Sequence, residues 1–218
     1  MAKITTILFD YDGTLMDTDE IIISAWQYTY KKMTGGELAK ETILRDFGEA
    51  LRDTMSKYFS GDALEEAIET HRIFQTETYL EKIRMFPGTL ELVHKLKEQG
   101  YKLAVVTSRR EPTTVMGLEK YDLMDVFDCI VTADDTVKHK PDPDPVLFAL
   151  EKLNSLPQEA VMVGDTVMDM GCGRAAGVTT VLATWAQAAQ FQTMSVDPDH
   201  RISTADDLWK ILEVLDAE

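Results

Sequence analysis

Ile4-Thr5-Thr6-Ile7-Leu8-Phe9-Asp10-Tyr11-Asp12-Gly13-Thr14-Leu15 is the stretch on which the reading of this chain turns. Its first half is a short apolar run, the pattern of a strand buried on both faces. Its second half opens with two carboxylates two residues apart. In an extended segment such residues point the same way, and Gly13 then permits a sharp turn close to a ligand. Acids just past an apolar strand are costly unless a cation neutralises them. A hard cation with oxygen ligands, Mg²⁺ above all, suits carboxylates. Taken alone, one Asp-x-Asp pair reads better as a polar strand exit with an Asx turn.

Further apolar runs predict four more buried strands, at Lys102–Val106, Cys129–Thr132, Ala160–Val163 and Thr179–Leu182. Helical patterns separate the later ones. Leu90, Val93 and Leu96 precede Gly100, and Pro145 opens an apolar repeat through Leu153. A last helix is expected over 208–215. Alternating strands and helices predict an α/β fold, a doubly wound, Rossmann-like parallel sheet. Residues 16–85 differ. They show amphipathic helix patterns around Ile21–Thr29, Leu51–Phe59 and Leu64–Ile73, and no strand-like run. The expected organisation is an α/β core of residues 1–15 and 86–218 with a small helical insert at 16–85. Phe86-Pro87-Gly88 marks the re-entry.

Three other predicted strand ends carry polar groups, and in open α/β sheets that edge binds ligands. Val105-Val106 runs into Thr107-Ser108-Arg109, whose hydroxyls and N–H groups suit phosphate oxygens. Lys140 heads Lys-Pro-Asp-Pro-Asp-Pro, where prolines stiffen the backbone and fix the direction of the ammonium. Val163-Gly164-Asp165 is followed four residues on by Asp169. Each has an ordinary alternative: a strand-end hydroxyl, a solvated lysine, and acids facing a helix dipole.

The four in this order resemble the motifs of the haloacid dehalogenase superfamily, across essentially the whole chain. The match is most specific over Asp10-Tyr11-Asp12-Gly13-Thr14-Leu15-Met16-Asp17-Thr18. The insert resembles a C1-type cap, and the second acid, Asp12, points to the phosphatase branch near phosphoglycolate phosphatases and pyrophosphatases. The resemblance implies that Asp10 is a nucleophile on phosphorus and Asp12 a general acid and base. Thr107 and Lys140 hold the phosphoryl oxygens. Mg²⁺ is bound by Asp10, the backbone carbonyl of Asp12, and Asp165, with Asp169 a ligand directly or through water. Tyr11, Gly13, Thr14, Ser108 and Arg109 surround the substrate, with Thr14 orienting Asp12. Arg109 stands where relatives more often carry Lys or Asn. Gly48-Glu49-Ala50-Leu51 falls where related phosphatases have a substrate-facing cap motif, with Arg45 and Arg52 as nearby cations or, equally, as a solvated helix face.

The implied function is Mg²⁺-dependent hydrolysis of a small phosphorylated metabolite through an aspartyl-phosphate. An inorganic pyrophosphatase is the alternative, then a β-phosphoglucomutase, and, in a different class, a non-catalytic phosphate-binding regulator. Composition narrows the partners. The chain has 218 residues, 44% hydrophobic, with a net charge of −16. That charge repels nucleic acid backbones and anionic membranes, and no stretch has the apolar length of a membrane span. The N-terminus lacks a signal-peptide pattern. Cys129 and Cys172 form no metal-binding spacing and suit a reducing compartment, so a cytoplasmic protein is expected. Whether it is a monomer or a homodimer stays open.

Overall fold

The computed structural model describes residues 3–187 and 196–217. Parts of the expected core segments 1–15 and 86–218 therefore lie outside the described residues. Six parallel strands form one sheet: β1 (Thr6–Phe9), β4 (Lys102–Val106), β5 (Cys129–Val131), β6 (Ala160–Gly164), β7 (Thr179–Ala183) and β8 (His200–Ile202), in the order β5-β4-β1-β6-β7-β8. The chain steps outward from β1 through β4 to β5, then returns to the other side of β1 and steps outward again. The order reverses at β1, which is where an open α/β sheet leaves a crevice beyond its carboxyl ends. Registers Phe9↔Val105 and Phe9↔Val163 bring the ends of β1, β4 and β6 level.

Strand alternation divides the core into two layers. Ile7, Phe9, Leu103, Val105, Val161 and Val163 face α5 (Thr89–Glu98), α6 (Glu111–Lys120) and α9 (Asp207–Ala217). Leu8, Ala104, Val106, Ala160 and Met162 face α7 (Asp144–Leu153) and α8 (Val167–Ala176). Both faces being covered explains why these strands read as unbroken apolar runs. His200-Arg201-Ile202 has no such run, so β8 escaped the sequence reading. So did α6, whose sequence carries little apolar periodicity.

Between β1 and β4 lie α1 (Asp19–Thr34), α2 (Lys40–Arg45), α3 (Leu51–Ser56) and α4 (Asp62–Lys82). They share an apolar cluster of their own, including Trp26, Leu44, Met55 and Ile68. The expectation that 16–85 holds no strand is corrected. Two-residue strands β2 (Met16–Asp17) and β3 (Arg84–Met85) pair antiparallel at its two ends, Met16↔Met85 and Asp17↔Arg84. Runs this short have no readable period and form only because the insert brings its ends together. Ile21, Tyr79 and Ile83 pack into the sheet's own core cluster, so the base of the insert is continuous with the core. Among the described residues no helix is long and apolar enough to cross a membrane. Both cysteines are free thiols.

Candidate active site

Asp10 follows the buried β1 strand with its backbone still tied to the sheet. Asp10 N–H donates to Val163 O at 2.8 Å, which sets the carboxylate at the crevice, 3% exposed. Lys140 arrives from the loop before α7. Its Nζ lies 2.9 Å from Asp10 Oδ1 in a buried ion pair. It also lies 2.5 Å from Asp169 Oδ1 and 3.3 Å from Val106 O. Burial works against this ammonium, yet the two carboxylates outweigh it and hold its pKa above the ordinary value.

Asp165 follows β6, and Asp169 lies in the first turn of α8. Asp169 Oδ2 accepts from Thr166 N–H and O–H at 3.0 and 2.6 Å, closing a capping box at the helix start. Both Asp169 oxygens are therefore engaged within the protein. Asp165 differs. Its Oδ1 accepts from Thr14 Oγ1 at 3.2 Å, while Oδ2 is buried with no partner. Asp10, Asp165 and Asp169 each offer an oxygen within 4.8 Å of one another. Burial first, then Asp169, pushes the Asp10 pKa up to about 7. Burial, Asp169 and Asp10 raise that of Asp165 well above the carboxylate range. Three packed acids with one orphaned oxygen form an all-oxygen donor set that fits a hard divalent cation.

Gly13 makes this packing possible. Its φ is +75°, and a Cβ there would lie 2.2 Å from Asp165 Oδ2. Asp12 projects to the same side as Asp10 and meets Arg109 in a fork: Nε lies 3.0 and 2.9 Å from the two carboxylate oxygens and one Nη 2.8 Å from Oδ1. Arg109 is itself buried, its guanidinium carbon 4.8 Å from the Tyr79 ring centre. Thr107 and Ser108 line the same cavity. Thr107 Oγ1 accepts from Arg109 N–H at 3.1 Å, and Ser108 Oγ donates to Gly48 O at 2.8 Å across to the insert.

Several sequence expectations change. Tyr11 does not line the cavity. Alternation turns its fully buried ring the other way, where its hydroxyl accepts from Tyr79 Oη at 2.8 Å. Thr14 orients Asp165, not Asp12. Arg45 and Arg52 are exposed and do not line the cavity. Helix α2 buries Ile43 and Leu44, and α3 buries Thr54 and Met55, so both arginines fall on outer faces. Arg52 instead forks onto Glu65 at 2.6 and 2.7 Å. Gly48 does line the cavity, with φ +88° and no room for a side chain against Thr166.

The sequence reading missed Arg72 and Gln75 of α4, which line the cavity with Arg110 and Trp26. The signal was present. Ile68, Arg72, Gln75 and Tyr79 fall at i, i+4, i+7 and i+11, so two polar side chains sit on an apolar helix stripe.

The haloacid dehalogenase-like hydrolase family matches residues 7–183. Pyrophosphatase PpaX of Bacillus mycoides is 38% identical over 96% of this chain and 97% of its own. A Caldanaerobacter subterraneus protein provisionally named as the same enzyme is 39% identical over 98% and 95%. Among solved structures, a Lactobacillus plantarum protein provisionally named a phosphoglycolate phosphatase superposes with a TM-score of 0.85. It is 27% identical and covers 96% of this chain and all of its own.

Proposed function

The chain belongs to the haloacid dehalogenase-like hydrolases and is a phosphatase of that family, and from that premise we propose that it hydrolyses a small phosphorylated metabolite through an aspartyl-phosphate on Asp10. The observation that carries the proposal is the juxtaposition of Asp10, Asp12, Thr107, Lys140 and Asp165 around one cavity. A carboxylate oxygen of Asp10 attacks phosphorus in line, the P–O bond to the leaving group breaks, and Asp12 delivers a proton to that oxygen. A water then loses its proton to Asp12 and displaces the carboxylate, releasing phosphate and restoring Asp10.

The obstacle is an anion approaching an anion. Unit charges 4 Å apart repel by about 1 kcal/mol in water and about 4 kcal/mol at an effective dielectric near 20. Lys140 lowers that barrier from within the protein, and Asp169 holds its ammonium on Asp10. Asp10, Asp165 and the backbone carbonyl of Asp12, with Asp169 directly or through water, would hold Mg²⁺, which would supply the remaining positive charge. The Thr107 hydroxyl, which only accepts among the described residues, offers a donor to the phosphoryl oxygens, Ser108 ties this loop to the insert through Gly48, and Arg109 keeps Asp12 aimed at the cavity.

The cavity is about 200 Å³. Pockets for drug-sized ligands run from roughly 300 to 1,000 Å³, so the leaving group is small, of the size of a two-carbon acid or an inorganic phosphate. A phosphoglycolate-type substrate, the first reading, meets that size limit. Pyrophosphate is the second, favoured by full-length relatives of that name. Phosphate release from phosphoglycolate, pyrophosphate, hexose phosphates and nucleotides, with and without Mg²⁺, tests both. Asp10→Asn is expected to lose at least about 10³-fold in turnover; near-normal turnover in that variant removes the nucleophile assignment. Transfer between glucose 1-phosphate and glucose 6-phosphate would favour a mutase, and no metal-dependent hydrolysis of any ester would favour a binding protein.

A further inference from the structure

The cations of the cavity are unequally engaged. Lys140 is paired with Asp10 and Asp169, Arg109 with Asp12, and Arg110 with Asp134 at 2.8 Å. Arg72, on the cap helix α4, makes no ion pair and no side-chain hydrogen bond with any described residue. Its Nε is fully enclosed without a partner. An enclosed donor with nothing to bind is unusual in a folded protein, because it forfeits water without replacement. Two carboxylates lie along the same wall, Asp46 and Glu49, and Lys57 takes both, at 2.9 and 2.7 Å. Neither turns to Arg72. Arg110 lines the same cavity; burial first, then Arg110, push the Arg72 pKa below its ordinary value, and Glu69 and Asp134 act the other way without pairing with it.

We propose that Arg72 is a specificity-determining residue that binds a second anionic group on the leaving-group side of the substrate. The phosphoryl group to be cleaved lies at Asp10, and the distal carboxylate or phosphate lies between Arg72 and Arg110, bridging the cap to the core. Trp26, Phe47 and Leu51 give the cavity an apolar lining, and an ion pair formed away from water is stronger than an exposed one. Arg72 belongs to α4 and Arg110 to the start of α6, so a bis-anionic substrate ties the two parts of the molecule together, whereas a mono-anionic one leaves Arg72 unpaired. This rests on the phosphatase reading only for which end holds the transferred group.

Binding of inert analogues to the Mg²⁺-loaded protein tests it without turnover. Methylphosphonate carries one anionic group, methylenediphosphonate two phosphonates, and phosphonoacetate a phosphonate and a carboxylate. By calorimetry the wild-type protein is expected to bind at least one bis-anion roughly tenfold or more tightly than methylphosphonate, the size of one charge-assisted contact. Arg72→Gln should bring that ratio to within about twofold with methylphosphonate affinity unchanged, and Arg72→Lys should keep much of it. The bis-anion more sensitive to Arg72→Gln identifies the distal group as phosphate or carboxylate. No preference in the wild type, a preference that survives Arg72→Gln, or equal weakening of all three ligands in a folded variant would overturn the assignment. Tight, Arg72-dependent binding of bis-anions by a protein that hydrolyses no phosphate compound would sink the hydrolytic reading and leave the subsite standing.

Discussion

Arg109 grips Asp12 through three contacts of 2.8 to 3.0 Å, and Tyr79 of helix α4 lies under the same guanidinium. The acid proposed for proton transfer is therefore positioned by a cation that the helical insert helps to hold. Burial opposes the charge on Arg109, but Asp12 outweighs it and raises its pKa above the ordinary value.

Arg109→Gln is expected to damage both folding and turnover. Removing one member of a buried ion pair costs about 3–5 kcal/mol, and the Asp12 side chain is 23% exposed, so the lower end applies. Urea unfolding measures this, and stability within about 0.5 kcal/mol of wild type would show that the fork is not structural. The turnover rate should fall roughly tenfold or more as Asp12 loses its aim.

Gly13→Ala should be destabilising and should weaken the metal site together. A side chain at positive φ costs about 1 kcal/mol or more, and here the added Cβ also meets Asp165 Oδ2. For a chain of this size each kcal/mol lowers Tm by about 2–4 °C. A thermal melt and a Mg²⁺ titration of activity check the two effects, and unchanged Mg²⁺ affinity would count against Asp165 as a ligand.

Asp165→Asn should act in opposite directions with and without metal. Removing one of three packed acids relieves like-charge repulsion, so the metal-free variant should melt at or above the wild-type temperature. Mg²⁺ should raise the wild-type Tm, as any ligand of the folded state does, and leave the variant unmoved. A Mg²⁺ shift equal in both proteins would show that Asp165 is not a ligand.

His71 should make the protein acid-labile. It is buried against Trp26, ring centres 5.7 Å apart, and neither ring nitrogen has a partner. Burial, then Arg109 and Arg72, push its pKa down from 6.5 to about 3. The folded state therefore binds the proton less readily than the unfolded one. Stability is intact above pH 6.5 and is lost as pH falls from there toward 3, at up to about 1.4 kcal/mol per pH unit. His71→Leu should narrow the difference between urea unfolding at pH 7.5 and pH 5 by about 2 kcal/mol. An unaltered difference would mean that another group sets the acid limit.

Much of this was legible in the chain itself. Strands buried on both faces leave unbroken apolar runs, so five of the sheet strands and most of their connecting helices, though not α6, declared themselves, and the polar residues that end three of them marked the crevice. Local alternation was also enough to place Asp10 and Asp12 on one side. It would have excluded the Tyr11 side chain, had it been applied to the residue between them.

The sequence alone thus determined the α/β core, the strand-end position of Asp10, Thr107 and Asp165, and the acid-rich chemistry of their crevice, because these follow from short-range periodicity. Only the tertiary structure decided which side chains pair. Thr14 with Asp165 spans 151 residues, Arg109 with Asp12 spans 97, and Ser108 with Gly48 spans 60. Such pairings depend on how far each helix rotates as its apolar stripe is buried. That rotation turned Arg45 and Arg52 to solvent, set Arg72 and Gln75 into the cavity, and left Arg72 without an ion pair among the described residues.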